Sequence, residues 1–110
     1  MKNMDTKMYY GFVEKNPENG SLGTSFAFGT NESVIAIGDS VHELETDTIK
    51  ALTQYFSDRA ELPDNNGTAE DALERGKENA DKPEDIIGYI AAQITQNNGQ
   101  TQVQAKMHIS

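Results

Sequence analysis

The apolar residues of this chain come in separated blocks, and the spacing within each block differs. Met8 to Lys15 is aromatic and β-branched, and it runs into Asn16-Pro17-Glu18-Asn19-Gly20. That is turn chemistry, because Pro presets φ and both Asn and Gly tolerate positive φ. From Leu22 to Thr30, Leu22, Phe26 and Phe28 share one side while Ser25, Ala27 and Gly29 take the other, the period of two of a strand. Asn31-Glu32 turns the chain again. Ser33-Val34-Ile35-Ala36-Ile37 is then a continuous apolar run, which suits a central strand covered on both faces. The pattern predicts a three-stranded antiparallel meander over residues 8–15, 22–30 and 33–38.

Helical spacing follows. Thr46 or Asp47 can cap a helix over 46–58 in which Ile49, Leu52 and Phe56 recur at intervals of three and four. Ser40-Val41-His42-Glu43 is a capping box that allows an earlier start. Pro63-Asp64-Asn65-Asn66-Gly67 breaks the chain, and Thr68-Ala69-Glu70-Asp71 restarts a helix. Between 68 and 82 Leu73 is the only large apolar residue, so this part of a polar 60–82 segment reads as a weak helix over 68–80 or a mobile loop. Pro83, Glu84 and Asp85 suit a first helical turn, and Ile86, Ile90 and Ile94 line up at i, i+4 and i+8. They predict a second amphipathic helix over 83–97, stopped by Asn97-Asn98-Gly99. Finally Thr101 to Ser110 alternates strictly, with Val103, Ala105, Met107 and Ile109 on one side. It is read as a half-buried strand over 101–109.

The expectation is one small α+β domain over 1–110, in which the meander and the C-terminal strand form a sheet covered by two helices. Composition tests whether such a domain can form at all. Leu, Ile, Val and Phe number 21 of 110 residues, close to the roughly 20% below which a charged chain tends to remain unfolded. The periodic placement of those residues, more than their number, argues for a core.

Charge adds a location. The formal net charge is −9. Counting Lys and Arg against Asp and Glu gives 3 − 3 = 0 for residues 1–30, 2 − 6 = −4 for 31–60, 3 − 9 = −6 for 61–90 and +1 for 91–110. The acidity belongs to the middle of the chain, which makes direct nucleic-acid binding a poor expectation. With no Cys, thiolate metal sites, disulfides and a Cys nucleophile are excluded. No apolar run reaches the roughly 18 residues of a membrane-spanning helix, and Met1 to Lys7 has no apolar signal region. A cytoplasmic protein with no membrane association is expected.

Several strings suggest chemistry. Val34-Ile35-Ala36-Ile37-Gly38-Asp39-Ser40-Val41 resembles, over eight residues, the first block of the GDSL hydrolases. That resemblance implies a small hydrolase with Ser40 attacking an ester. The family's downstream Gly and Asn oxyanion donors and its Asp-x-x-His pair have no counterpart here, and strand end, Gly turn and Ser helix cap explain the same string. Asp39, His42, Glu43, Glu45 and Asp47 place oxygen and nitrogen ligands close together, but no second His cluster accompanies them. A calcium loop begun at Asp64 would need Gly at position 6 and Glu at position 12, where the chain has Ala69 and Arg75. Phosphate-cradling Gly patterns are absent. Tyr9, Tyr10, Phe12, Phe26 and Phe28 could stack on bases, yet they lie in a segment of zero net charge, and core packing is the simpler use.

The acidic middle is then the candidate surface. Its expected partner-binding residues are Glu43, Glu45, Asp47, Glu70, Asp71, Glu74, Glu78, Asp81, Glu84 and Asp85, with Tyr9, Tyr55 and Tyr89 as exposed aromatic anchors. The leading expectation is a non-enzymatic protein-binding module without cofactor or metal. It would act as an inhibitor that occupies a basic, nucleic-acid-binding surface of a partner protein, and its size and composition suit an accessory protein of a phage or mobile element. The alternative is an assembly protein that self-associates, as a homodimer for instance, through the edges of its N-terminal and C-terminal strands.

Overall fold

The computed structural model describes residues 4–28, 32–57, 59, 62–63, 67–97 and 100–110. In chain order these form β1 (Met4–Lys15), β2 (Leu22–Phe28), β3 (Glu32–Gly38), α1 (Val41–Ser57), α2 (Ala69–Asn79), a short 3-10 turn at Pro83–Asp85, β4 (Ile86–Asn97) and β5 (Gln100–Ile109). The strands make one sheet in the order β3-β2-β1-β4-β5, and every neighbouring pair is antiparallel. The α+β class and the N-terminal meander are as the sequence predicts. The β1–β2 turn is held as its residues suggest: Asn16 Oδ1 accepts from the Glu18 N–H and Asn19 Oδ1 from the Ser21 N–H, both at 2.9 Å. The expected end of the second strand at 29–30, the Asn31 turn, the 64–66 part of the Pro63–Gly67 break and the Asn98-Gly99 stop lie outside the described residues.

The helix expected over 83–97 is a strand from Ile86 onward, the largest correction to the sequence reading. Ile86, Ile90 and Ile94 are buried, as expected, but so are Gly88 and Ala92 between them. An interval of four satisfies a helix period and is also twice the strand period. Small residues at 88 and 92 hide the alternation, and the Pro83 signal is used up in a single 3-10 turn.

The sheet has two covered regions on opposite faces. On one face Tyr9, Val13, Phe26, Phe28, Val34, Ile90 and Ile94 pack against the buried stripe of α1, formed by Leu44, Thr48, Leu52 and Phe56. Phe56 contacts the Tyr9 and Phe28 rings at centroid distances of 5.5 and 5.3 Å. Each fully buried side chain of this kind contributes on the order of 2 kcal/mol. α1 also meets β3 and β5, the two outermost strands. In a flat sheet strands four places apart lie about 19 Å from each other, while a helix is about 10 Å across. The sheet therefore curls around α1.

α2 lies on the other face, over β1 and β4. It offers little apolar bulk, and its buried residues are Ala72 and Gly76. Smallness is what docks it. A Cβ added at Gly76 would lie 2.6 Å from Phe12 Cγ, so the helix backbone rests almost directly on that ring. Arg75 leans over the same ring, and burial pushes its guanidinium below the usual arginine range. The start of α2 is fixed by a complete capping box between Thr68 and Asp71. The weak helix over 68–80 is thus a docked helix.

Four further expectations change. α1 begins at Val41 rather than 46, because Ser40 is its cap: Ser40 Oγ accepts the Glu43 N–H at 3.1 Å. β3 is an edge strand, not a central one. α2 covers β1 and β4 instead, leaving Ile35 and Ile37 exposed at 66% and 68%. The N-terminal strand is the centre of the sheet rather than an edge. On β5 Met107 is buried and Val103 and Ala105 partly so, but Ile109 is exposed.

Candidate partner-binding surface

Gly38 ends β3 so close to α1 that an added Cβ would meet the Leu44 nitrogen at 2.5 Å. Asp39 and Ser40 then turn the chain into the helix. This local build explains the Ile-Gly-Asp-Ser string without catalysis, since the Ser40 hydroxyl accepts from the helix backbone. It also sets the fate of the nearby carboxylates. Glu45 and Asp47 are two residues apart, so they project about 200° apart around the helix. Glu45 Oε2 accepts the Met107 N–H of β5 at 2.8 Å, and Asp47 Oδ2 accepts the Ile37 N–H of β3 at 3.0 Å. Of the five residues weighed as metal ligands, Glu45 thus turns away to β5 from the other four. Among the described residues no three His, Asp or Glu side chains converge on a cation site.

The remaining acidic residues divide by location. Glu70, Glu74 and Glu78 stand at intervals of four on the exposed side of α2, about 6 Å apart along its axis, and Asp71 is engaged in the capping box. Asp81, Glu84 and Asp85 follow in the turn before β4.

Two adjoining surface depressions, of about 640 and 580 Å³, bring distant parts of this set together. The first is walled by Asp39, His42, Glu43, Asp47 and Lys50, the second by Glu14, Glu18, Asp81, Lys82 and Asp85. Ser21 and the exposed Ile37 line both, so the two depressions adjoin at the end of the sheet and are together called the trough. Its walls carry seven carboxylates and two lysines, 2 − 7 = −5. Of the residues singled out from sequence, Glu43, Asp47, Asp81 and Asp85 meet here. Glu70, Glu74 and Glu78 lie along α2, Glu45 turns to β5, and Glu84 is exposed without lining the trough. Glu14, Glu18, Asp39 and Ile37 are trough residues that the charge count along the chain did not single out. Asp58, Glu61 and Asp64 of the acidic middle lie outside the described residues.

The aromatic anchors fare differently. Tyr9 is fully buried, its hydroxyl donating to the Pro63 carbonyl, so it belongs to the core. Tyr89 is half-buried and stacks on His108 at 5.0 Å. Tyr55, also half-buried, sits in a clamp that sequence reasoning missed. Its hydroxyl donates to Glu32 Oε1 at 2.6 Å, and Arg59 forks onto both Glu32 oxygens at 2.9 and 3.1 Å. The Arg59 guanidinium lies 4.1 Å from the centre of the Tyr55 ring. Hydrogen bonds from Tyr55 and Arg59 hold the Glu32 carboxyl below the usual carboxylate range. Burial, and then the bond to Glu32, push the Tyr55 phenol up to about 12. The clamp ties the end of α1 to the start of β3. The sequence separation of 27 residues between Arg59 and Glu32 gave no local signal for it.

Among the described residues no helix is long and apolar enough to cross a membrane. No family model, no curated protein and no solved structure matches the chain.

Proposed function

We propose that the chain is a non-enzymatic protein-binding module whose acidic trough receives a basic surface of a partner protein, one that otherwise holds nucleic acid. The observation that carries this reading is that Asp39, Glu43 and Asp47 line one depression and Glu14, Glu18, Asp81 and Asp85 line the adjoining one, with the exposed Ile37 shared between them. Clustered carboxylates steer a cationic partner and raise its association rate, while an apolar contact at the centre supplies short-range affinity. The carboxylate row of α2 leads toward the same end of the molecule through Asp81 and extends the negative field. No catalytic group is required by this reading, and Ser40 serves as a helix cap.

The test is partner capture from the native host, followed by salt titration and duplex-DNA competition on the purified pair. The complex is expected to weaken steeply with added salt, as screening predicts. Free DNA is expected to displace the chain, and Glu43→Lys with Asp85→Lys is expected to abolish binding without unfolding the protein. Affinity unchanged between low and high salt sinks the proposal.

A further inference from the structure

Each edge of the sheet has one backbone N–H capped by a carboxylate of α1. Edge strands expose unpaired backbone groups, and folded proteins blunt them with charges, prolines, bulges or covering elements. On β3 the Ile37 N–H is capped by Asp47, and the strand's start carries the Glu32–Tyr55–Arg59 clamp. On β5 the corresponding cap is Glu45 on the Met107 N–H, close to the strand's end. From Gln100 to Ala105 the strand has no proline and no charged residue.

The direction of the free groups follows from two bonds. Ser110 donates its N–H to the Ile87 carbonyl, toward β4, while the Met107 N–H points away from β4 to Glu45. In an antiparallel strand the backbone groups alternate between the two sides. The N–H and C=O groups of Thr101, Val103 and Ala105 therefore also point away from β4, and among the described residues their N–H groups have no partner.

We propose that a second copy of this chain pairs here, β5 against β5 in antiparallel register about Val103, to make one continuous sheet across a two-fold axis. In this register Val103 faces its own symmetry mate and Thr101 faces Ala105 of the other copy, each pair exchanging N–H···O bonds in both directions. On the outer face Gln102 meets Gln104 of the other copy, amide against amide, and Lys106 meets Gln100. No like charges oppose each other, and like charges directly opposite destabilise a strand pair. The Glu45 cap at Met107 marks where the pairing ends. Charge favours this edge as well. The chain is −9 overall, yet Gln100–Ile109 contains one Lys and no acid, so two copies approach here without the repulsion that the acidic middle imposes.

The experiment is sedimentation velocity on the full chain from micromolar to submillimolar concentration, with light-scattering mass as a second readout. Wild type is expected to reach twice the 12.1 kDa chain mass. The exposed pair Gln102→Lys with Gln104→Lys sets lysine opposite lysine and is expected to raise the dimer dissociation constant about tenfold or more. Gln102→Glu with Gln104→Lys sets opposite charges across the same axis and is expected to retain the dimer. Val103→Pro removes a donor that β4 does not use and is expected to leave a folded monomer by circular dichroism. A wild-type mass of one chain throughout the range overturns the proposal. So does a dimer indifferent to both the double-lysine change and the proline.

Discussion

Glu45 and Asp47, two positions apart on α1, each accept a backbone N–H from opposite ends of the strand order: Met107 of β5 at 2.8 Å and Ile37 of β3 at 3.0 Å. The helix stripe between them, Leu44, Thr48, Leu52 and Phe56, fills the concave side of the sheet. The two carboxylates therefore pin the curvature from both flanks, and they occupy an outward N–H that an incoming strand would otherwise use.

Removing either carboxylate frees one edge and leaves the other. Glu45→Ala and Asp47→Ala are each expected to destabilise the fold by about 1.5 kcal/mol, the low end of the range for a hydrogen bond to a charged acceptor because both bonds are partly open to solvent. Denaturant unfolding measures the loss. Amide exchange assigns it: the Met107 amide should lose protection in the first variant and the Ile37 amide in the second, each without affecting the other.

Gly76 is a helix-interior glycine, where alanine is ordinarily better by about 1 kcal/mol. Here the order reverses, because the new methyl would meet the Phe12 ring at 2.6 Å. Gly76→Ala is expected to cost about 1–3 kcal/mol, the range for overpacking. Adding Phe12→Ala, which removes the Cγ and Cδ1 contacts and leaves only Cβ at 2.8 Å, should recover part of that cost in a double-mutant cycle.

The clamp on Glu32 sets an acid limit. A carboxyl held below its ordinary value of 4.5 stabilises the fold above that value and loses its contribution as pH falls through the folded one. Acid unfolding of wild type should therefore include a component that Glu32→Gln removes, seen as a flatter stability profile below pH 4.5.

Tyr55 sets the matching alkaline behaviour. A phenol raised from 10.0 to about 12 contributes stability that is complete below 10.0 and is lost as pH rises through about 12. Ultraviolet titration should find a late-ionising tyrosine that disappears in Tyr55→Phe. In Glu32→Gln the same phenol should ionise earlier, since the acceptor charge is gone.

Much of the fold was legible along the chain, for reasons specific to each segment. The Leu22–Phe28 alternation, the Asn-rich turn before it, the Leu52–Phe56 spacing and the Gln100–Ile109 alternation are local patterns, and each became the element it suggested. Ile86–Ile94 misled because its buried face includes Gly88 and Ala92, and because α2 covers part of its other face, so neither side looks polar. Ile35 and Ile37 misled in the opposite sense: an apolar run that reads as covered on both sides is open on one. The acidic residues were visible as a charge count, but their grouping was not.

The sequence by itself determined that the chain is an acidic α+β protein, because residue periodicity and charge are properties of neighbours in the chain. Tertiary structure alone decided which strands are edges, which carboxylates cap the sheet and which face the trough. Those outcomes depend on how the sheet curls around α1 and where α2 docks. They arise from contacts between residues tens of positions apart, such as Glu45 with Met107, and no local pattern encodes them.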